Sequence, residues 1–296
     1  MRTIAVSVAL MILVACGDTS QPEGPPLIVY ASEDDPANLA PLFAAFTSDT
    51  GITITPVWGS SSANTAAVIA KQGLPADVLI TSNAADIVLA AYEGALRPIS
   101  TTTLDAVHSA LKDPDNLWAS LQSRKAIIAA SPTSDELATV DFKALATEAY
   151  LGKICLSSIA NSVNQSLIAW LIEDLERKAA ERVVRGWVRN LAAPPFAHEA
   201  ELVVALESGV CQFGILSDNA VTDAMRTVLP SPAYIDVSAM GVGRHAQNPE
   251  RAQQLINWLI VNQGPPEDGE RMQRNVAVAG WGNQEARLLA ERAGFN

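Results

Sequence analysis

Residues 27–81, LIVYASEDDPANLAPLFAAFTSDTGITITPVWGSSSANTAAVIAKQGLPADVLIT, decide the fold class. They open with Leu27-Ile28-Val29-Tyr30, a β-type run that predicts a strand. Ala31 to Pro36 holds turn and helix-start residues. Leu39, Leu42, Phe43 and Phe46 then fall at helical spacing. Thr50-Gly51 closes that helix, and Ile52 to Val57 reads as a second strand. A loop of small polar residues, Gly59 to Thr65, leads into a helix ending near Lys71. Pro75 to Thr81 is a buried strand, and Asn83 to Glu93 is helical. Alternation of strand and helix predicts an α/β domain with a largely parallel sheet and helices on both faces.

The alternation continues downstream. Lys125–Ala130, Gly152–Leu156, Val210–Leu216 and Tyr234–Val237 read as strands. Helices are expected over Asn164–Leu175, Ala179–Leu191, Glu201–Glu207, Pro249–Val261 and Asn283–Ala293. Trp170, Trp187 and Trp258 lie at helical spacing among aliphatics, the pattern of core packing. For Trp58, before the serine loop, packing at a strand end and shielding of a ligand both stay open. No internal repeat is visible.

Upstream, Arg2 provides a positive n-region and Ile4–Val14 an apolar h-region, which together form a secretory signal. The run is too short to span a bilayer of roughly 30 Å. Leu13-Val14-Ala15-Cys16 resembles the bacterial lipobox, which implies cleavage after residue 15 and lipidation of Cys16. An ordinary signal peptide that happens to contain a Cys is the alternative. Residues 16–26, rich in Pro and Gly, read as a tether. The expected location is the periplasmic or cell-surface face of a bacterial membrane.

About half of the residues are apolar (49%), so a sizeable core is available, enough for two modest domains. A net charge of −12 argues against nucleic acid, which selects basic faces. Neither a CxxC motif nor a Cys/His cluster points to zinc. His108, His198 and His245 are isolated, and Gly59-Ser60-Ser61-Ser62-Ala63 is not a nucleophile elbow. Gly152-Lys153-Ile154 lacks the rest of a phosphate loop.

The order of elements, with Thr50-Gly51-Ile52, the Gly-Ser loop, Pro75-Ala76-Asp77-Val78, Gly152-Lys153-Ile154, Glu207-Ser208-Gly209 and Asn248-Pro249-Glu250-Arg251-Ala252, resembles the periplasmic ferric-ion-binding family. These are class II solute-binding proteins of ABC importers. The resemblance covers nearly all of residues 27–275. It implies a two-lobe periplasmic-binding-protein fold with the ligand in the cleft between lobes. Lobe one would be residues 27–123 plus 234–275, and lobe two 124–233 plus 276–296. The ligand site would lie at the carboxyl ends of the strands, as in open α/β sheets generally.

Iron-binding members hold ferric ion with paired tyrosinates, a Glu and often a His. Here the tyrosine pair falls on Asn219 and Ala220, and the Glu position on or near Asn83. The first loop carries Glu33, Asp34 and Asp35 and no His. Iron held by a tyrosinate pair is therefore not expected, whereas ferric iron or an iron chelate bound through other ligands stays an alternative; no resident metal or cofactor is expected. The loops that would line the cleft are rich in hydroxyls and amides: Ser32, Ser60, Ser61, Ser62, Asn83, Asn161, Ser162 and Asn219. Several precede helices, where free backbone N–H groups hold anions. Arg124 would add a charge-assisted pair. Asp34 and Asp218 are carboxylates that could meet a hard cation, but two alone make a poor cage. Ser and Asn are also the preferred helix caps, so capping is the competing role at each position.

The resemblance also makes the strands of Cys155 and Cys211 neighbours, which implies a Cys155–Cys211 disulfide, with two buried free thiols as the alternative. The expected function is that of a lipid-anchored solute-binding protein, a monomer that passes a small polar, anionic or chelated solute to an ABC permease. A sensor or accessory protein that no longer transports is the first rival. An exported hydrolase is the second, and no residue is assigned a catalytic role.

Overall fold

The computed structural model describes residues 24–32, 36–99, 102–132, 134, 140–272 and 274–296. The signal sequence, Cys16, most of the tether, and Glu33, Asp34 and Asp35 lie outside the described residues.

The elements run β1 Leu27–Ser32, α1 Pro36–Thr50, β2 Ile54–Gly59, α2 Ser61–Ala70, β3 Val78–Thr81, α3 Ala84–Tyr92, β4 Leu96–Arg97, β5 Ala119–Ala130, β6 Ile154–Leu156, α4 Ser162–Leu175, α5 Arg177–Arg189, α6 Glu199–Glu207, β7 Phe213–Ser217, β8 Arg226–Val228, β9 Ile235–Gly243, α7 Pro249–Gln263 and α8 Ala277–Ala293. The strand path is β2-β1-β3-β9-β5-β7-β6, with β4 on β9 and β8 on β5. Pairs β1–β2, β1–β3 and β6–β7 are parallel. The pairs made by β9 and β5 are antiparallel.

Two long strands organise the molecule. The first half of β5 pairs with β9, from Ala119↔Met240 to Lys125↔Ile235. From Ala126 onward β5 pairs instead with β7. One hydrophobic core gathers residues of β1, β3, α1, α3, β9 and α7, among them Phe46, Leu79 and Leu255. A second gathers β6, β7, α4, α5 and α8, among them Trp187, Phe213 and Leu289. Thus β5 and β9 carry the chain between two cores. Burying side chains of this size supplies the main favourable term in each.

Helix α8 begins at Ala277, earlier than the expected Asn283. The Gly280-Trp281-Gly282 run looks like a loop but packs as helix. A Cβ on Gly280 would meet Val88 Cγ2 at 2.9 Å, and one on Gly282 would meet Ala169 Cβ at 3.0 Å. The two glycines let α8 approach α3 and α4 closely. The same reinterpretation applies to the serine loop, since Ser61 to Thr65 already belong to α2. Among the described residues no helix is long and apolar enough to cross a membrane.

Cys155 and Cys211 form a disulfide with Cα atoms 5.8 Å apart. Cys155 lies on β6, but Cys211 does not lie on a strand, because β7 starts at Phe213. The residue opposite Cys155 is Gly214, so the bridge joins a strand to the turn that enters its neighbour.

Candidate functional site

A cleft of about 560 Å³ opens between the two cores. Four helices point their N-termini at it. Ser60 caps α2 through its Oγ, which accepts from Ala63 N at 3.3 Å. Asn83 caps α3, with Oδ1 accepting from Asp86 N at 2.9 Å. Asn161 caps α4, with Oδ1 accepting from Val163 N at 2.8 Å. His198 stands at the start of α6 without a side-chain cap bond. All four residues line the cleft. Unpaired N–H groups and the positive ends of helix dipoles favour negative charge there.

Arg124 sits where the cores meet. Its Nη2 donates to the Ser82 carbonyl, to Ser162 Oγ at 3.2 Å and to Asp236 Oδ2 at 3.1 Å. Arg124 and Asp236 are opposite residues on β5 and β9. Asp236 is buried and also accepts from Ala84 N at 3.2 Å. Burial pushes its carboxyl above the usual range, while Arg124, Ala84 N–H, Ser162 and Ser166 pull it back. Ser61 is buried, and its Oγ accepts from Ser82 N at 3.1 Å, tying α2 to the turn before α3.

The cleft carboxylates are engaged by neighbours. Asp86 accepts from Asn83 Nδ2 at 2.8 Å. Glu199 accepts from Ser217 N at 2.7 Å and Ser217 Oγ at 2.6 Å. Arg124, Arg287 and His198 supply the basic groups of the lining.

The cleft brings together Ser60, Ser61, Ser62, Asn83, Arg124, Asn161, Ser162 and Asn219. Ser32 lines a smaller adjoining pocket. Asp218 is not among the lining residues of either. It accepts from Lys125 N at 2.9 Å and pairs with Lys125 Nζ at 2.9 Å. Lys125 Nζ also pairs with Asp268 at 3.0 Å. Trp58 stacks on Phe43 with ring centroids 6.0 Å apart, so packing at the strand end is its role. Trp170 and Trp187 are buried, whereas Trp258 is half-buried with Nε1 donating to Asp49 at 2.9 Å.

Sequence reasoning missed Asp86, Glu199, Asn283 and Arg287 in the cleft, and Gln122 and Ser238 in the adjoining pocket. For Asp86 a signal existed, namely an acidic residue three positions after an Asn cap.

None of the chain's four tyrosines lines the cleft or the adjoining pocket. Tyr30 donates to Leu74 O at 3.0 Å, and Tyr92 packs against Trp281. Tyr234 donates to Asp174 at 2.8 Å, and its phenol is pushed up by burial and by that carboxylate. Among the described residues no three His, Cys, Asp or Glu side chains gather to hold a metal.

A profile for bacterial extracellular solute-binding proteins matches residues 27–264. The chain is 26% identical over 243 residues to iron uptake protein A1 of Synechocystis sp., covering 74% of this chain and 67% of that one. A solved Trichodesmium protein in complex with iron and citrate ligands superposes with a TM-score of 0.78 at 26% identity, covering 92% of this chain and all of that one (100%). The apo ferric ion-binding protein A of Pasteurella haemolytica shares the fold, with a TM-score of 0.80 at 21% identity, covering 91% of this chain and 98% of that one.

Proposed function

Because the chain belongs to the bacterial extracellular solute-binding protein family, we propose that it captures a small anionic solute between two lobes and delivers it to an ABC permease. The lobes are residues 27–123 plus 234–275 and 124–233 plus 276–296. Closure is a hinge motion about β5 and β9. Cys16 carries the lipid that holds the protein at the outer face of a membrane, where it works as a monomer and not as an enzyme.

The observation that carries this reading is that four helix N-termini and Arg124 line one cleft whose carboxylates are already hydrogen-bonded. Such a site favours a carboxylate or phosphonate over a bare cation. Ser60, Ser61, Ser62, Asn83, Arg124, Asn161, Ser162 and Asn219 are the residues proposed to meet the solute, with Ser32 beside them. The cap oxygens of Ser60, Asn83 and Asn161 are spent on their helices, so their backbone surroundings do the binding there.

A second reading is a ferric chelate, favoured by the Trichodesmium relative solved with iron and citrate. In that case the organic acid supplies the iron ligands and the protein holds the acid.

A thermal-shift screen of the mature chain tests both. Ligand that binds only the folded state stabilises by about 2.7 kcal/mol at a hundred times its Kd. Phosphonates, citrate or ferric citrate are expected to raise the melting temperature, and less so in Asn219→Ala. A rise with a ferric salt alone would count against the anion reading. No rise with any compound would favour the accessory-protein rival.

A further inference from the structure

We propose that the solute carries a short arm, part apolar and part hydrogen-bonding, that enters a second pocket behind Arg124. This rests on the anion reading above and narrows it to a class of solute. The second pocket, about 200 Å³, joins the cleft at Ser82, Arg124 and Asn219, which line both.

Two polar atoms of residues lining this pocket are buried and lack a hydrogen-bond partner, Arg124 Nε and Ser238 Oγ. A buried polar group left unmade is costly, so each marks a place where a partner is expected. Arg124 Nη2 is already committed to Ser82, Ser162 and Asp236, whereas Nε is buried without a partner. It can only donate, so the arm must bring an acceptor. The Ser238 hydroxyl donates or accepts, and a hydroxyl on the arm satisfies it.

The remaining wall is mixed, with Ser32, Asn38, Thr81 and Gln122 beside an aliphatic part. Leu39, Ile80 and Leu121 form that part. The β5–β9 register shifts between Ser120 and Gln122, with Gln122 opposite Ser238. An irregularity of this kind re-aims side chains next to a site. The volume corresponds to roughly six or seven waters at ~30 Å³ each, enough for an arm of about three to six heavy atoms. An inorganic oxyanion or a bare cation leaves this space unused. The class is therefore a carboxylate or phosphonate bearing a hydroxylated alkyl arm.

The test is a calorimetric titration of the mature chain with inorganic phosphate, methylphosphonate, 2-hydroxyethylphosphonate and 3-hydroxypropylphosphonate. Affinity is expected to rise about fourfold per added methylene, with the hydroxylated compounds bound at least roughly tenfold more tightly than phosphate. Ser238→Leu, which fills the pocket, erases that gain. Ser238→Ala, which adds no bulk, weakens only the hydroxylated compounds. Equal affinity for phosphate and the hydroxylated compounds would overturn the arm while leaving an anion site in place, as would a full gain retained in both Ser238 variants. Failure of all four anions here, together with no response to citrate in the thermal-shift screen, would overturn the anion reading and the arm with it.

Discussion

Removing Arg124 tests the ion pair that joins β5 to β9. In Arg124→Met the carboxylate of Asp236 keeps its hydrogen bonds from Ala84, Ser162 and Ser166 but loses its ion-pair partner. Breaking a buried pair by deleting one member costs about 3–5 kcal/mol. Asp236 is 1% exposed and Arg124 25% exposed, so the lower end, about 3 kcal/mol, is expected at pH 8. The cost depends on pH with a definite sign. Burial raises the carboxyl, and Arg124 is the group that opposes it most. Without Arg124 the folded-state value rises further. Between the unfolded and folded values the folded state binds more protons, so stability falls as pH rises through that window. Arg124→Met is therefore expected to lose less at pH 5 than at pH 8. Asp236→Asn in the same background removes the buried charge and recovers part of the loss. Urea unfolding of wild type, both single variants and the double variant at the two pH values measures all of this. Additive losses within about 0.5 kcal/mol, the limit for independent sites, would refute the coupling, as would a cost independent of pH.

Other expectations follow from single contacts. Cys155→Ser with Cys211→Ser opens a bridge spanning 56 residues, a loop whose closure corresponds to about 4 kcal/mol in the chain-entropy account, read by denaturant midpoint. Burial pushes the Asp268 carboxyl up, but hydrogen bonds from Ser123 and Lys125 hold it below the usual range. Its contribution is present above the unfolded value and lost as pH falls through the folded one, so Asp268→Asn should flatten the acid limb of the stability profile. Ser61→Ala removes the acceptor for Ser82 N and should cost about 1 kcal/mol in melting experiments. It should also weaken solute binding if that turn shapes the cleft.

Much of this molecule was legible in the order of its elements. The strand–helix alternation of residues 27–93 is present as read, and the hydroxyl-rich loops do end at one cleft. Capping chemistry explains both the success and its limit. The residues that cap a helix also mark its N-terminus, so Ser60, Asn83 and Asn161 located the cleft while their side-chain oxygens stayed on their own helices. Asp218 looked like a cleft carboxylate because it follows β7, yet Lys125 on the neighbouring strand captures it. No spacing rule reveals a partner 93 residues away. Gln122 and Ser238 were invisible for a different reason. Strands β5 and β9 are nearly continuous in burial, so no alternation separates cavity-facing from core-facing residues. The glycines of α8 hid a helix start because propensity reads them as breakers, whereas close packing on α3 and α4 is what they permit.

Calorimetric titration of the mature chain with citrate and methylphosphonate, beside a ferric salt without chelator, bears most directly on what the cleft holds. An organic oxyanion is predicted to bind once per chain, with the heat sharply reduced in Arg124→Met under conditions where that variant is folded, and the ferric salt to give no saturable heat. Stoichiometric binding of ferric ion alone, with no response to either anion, would contradict an anion-binding cleft.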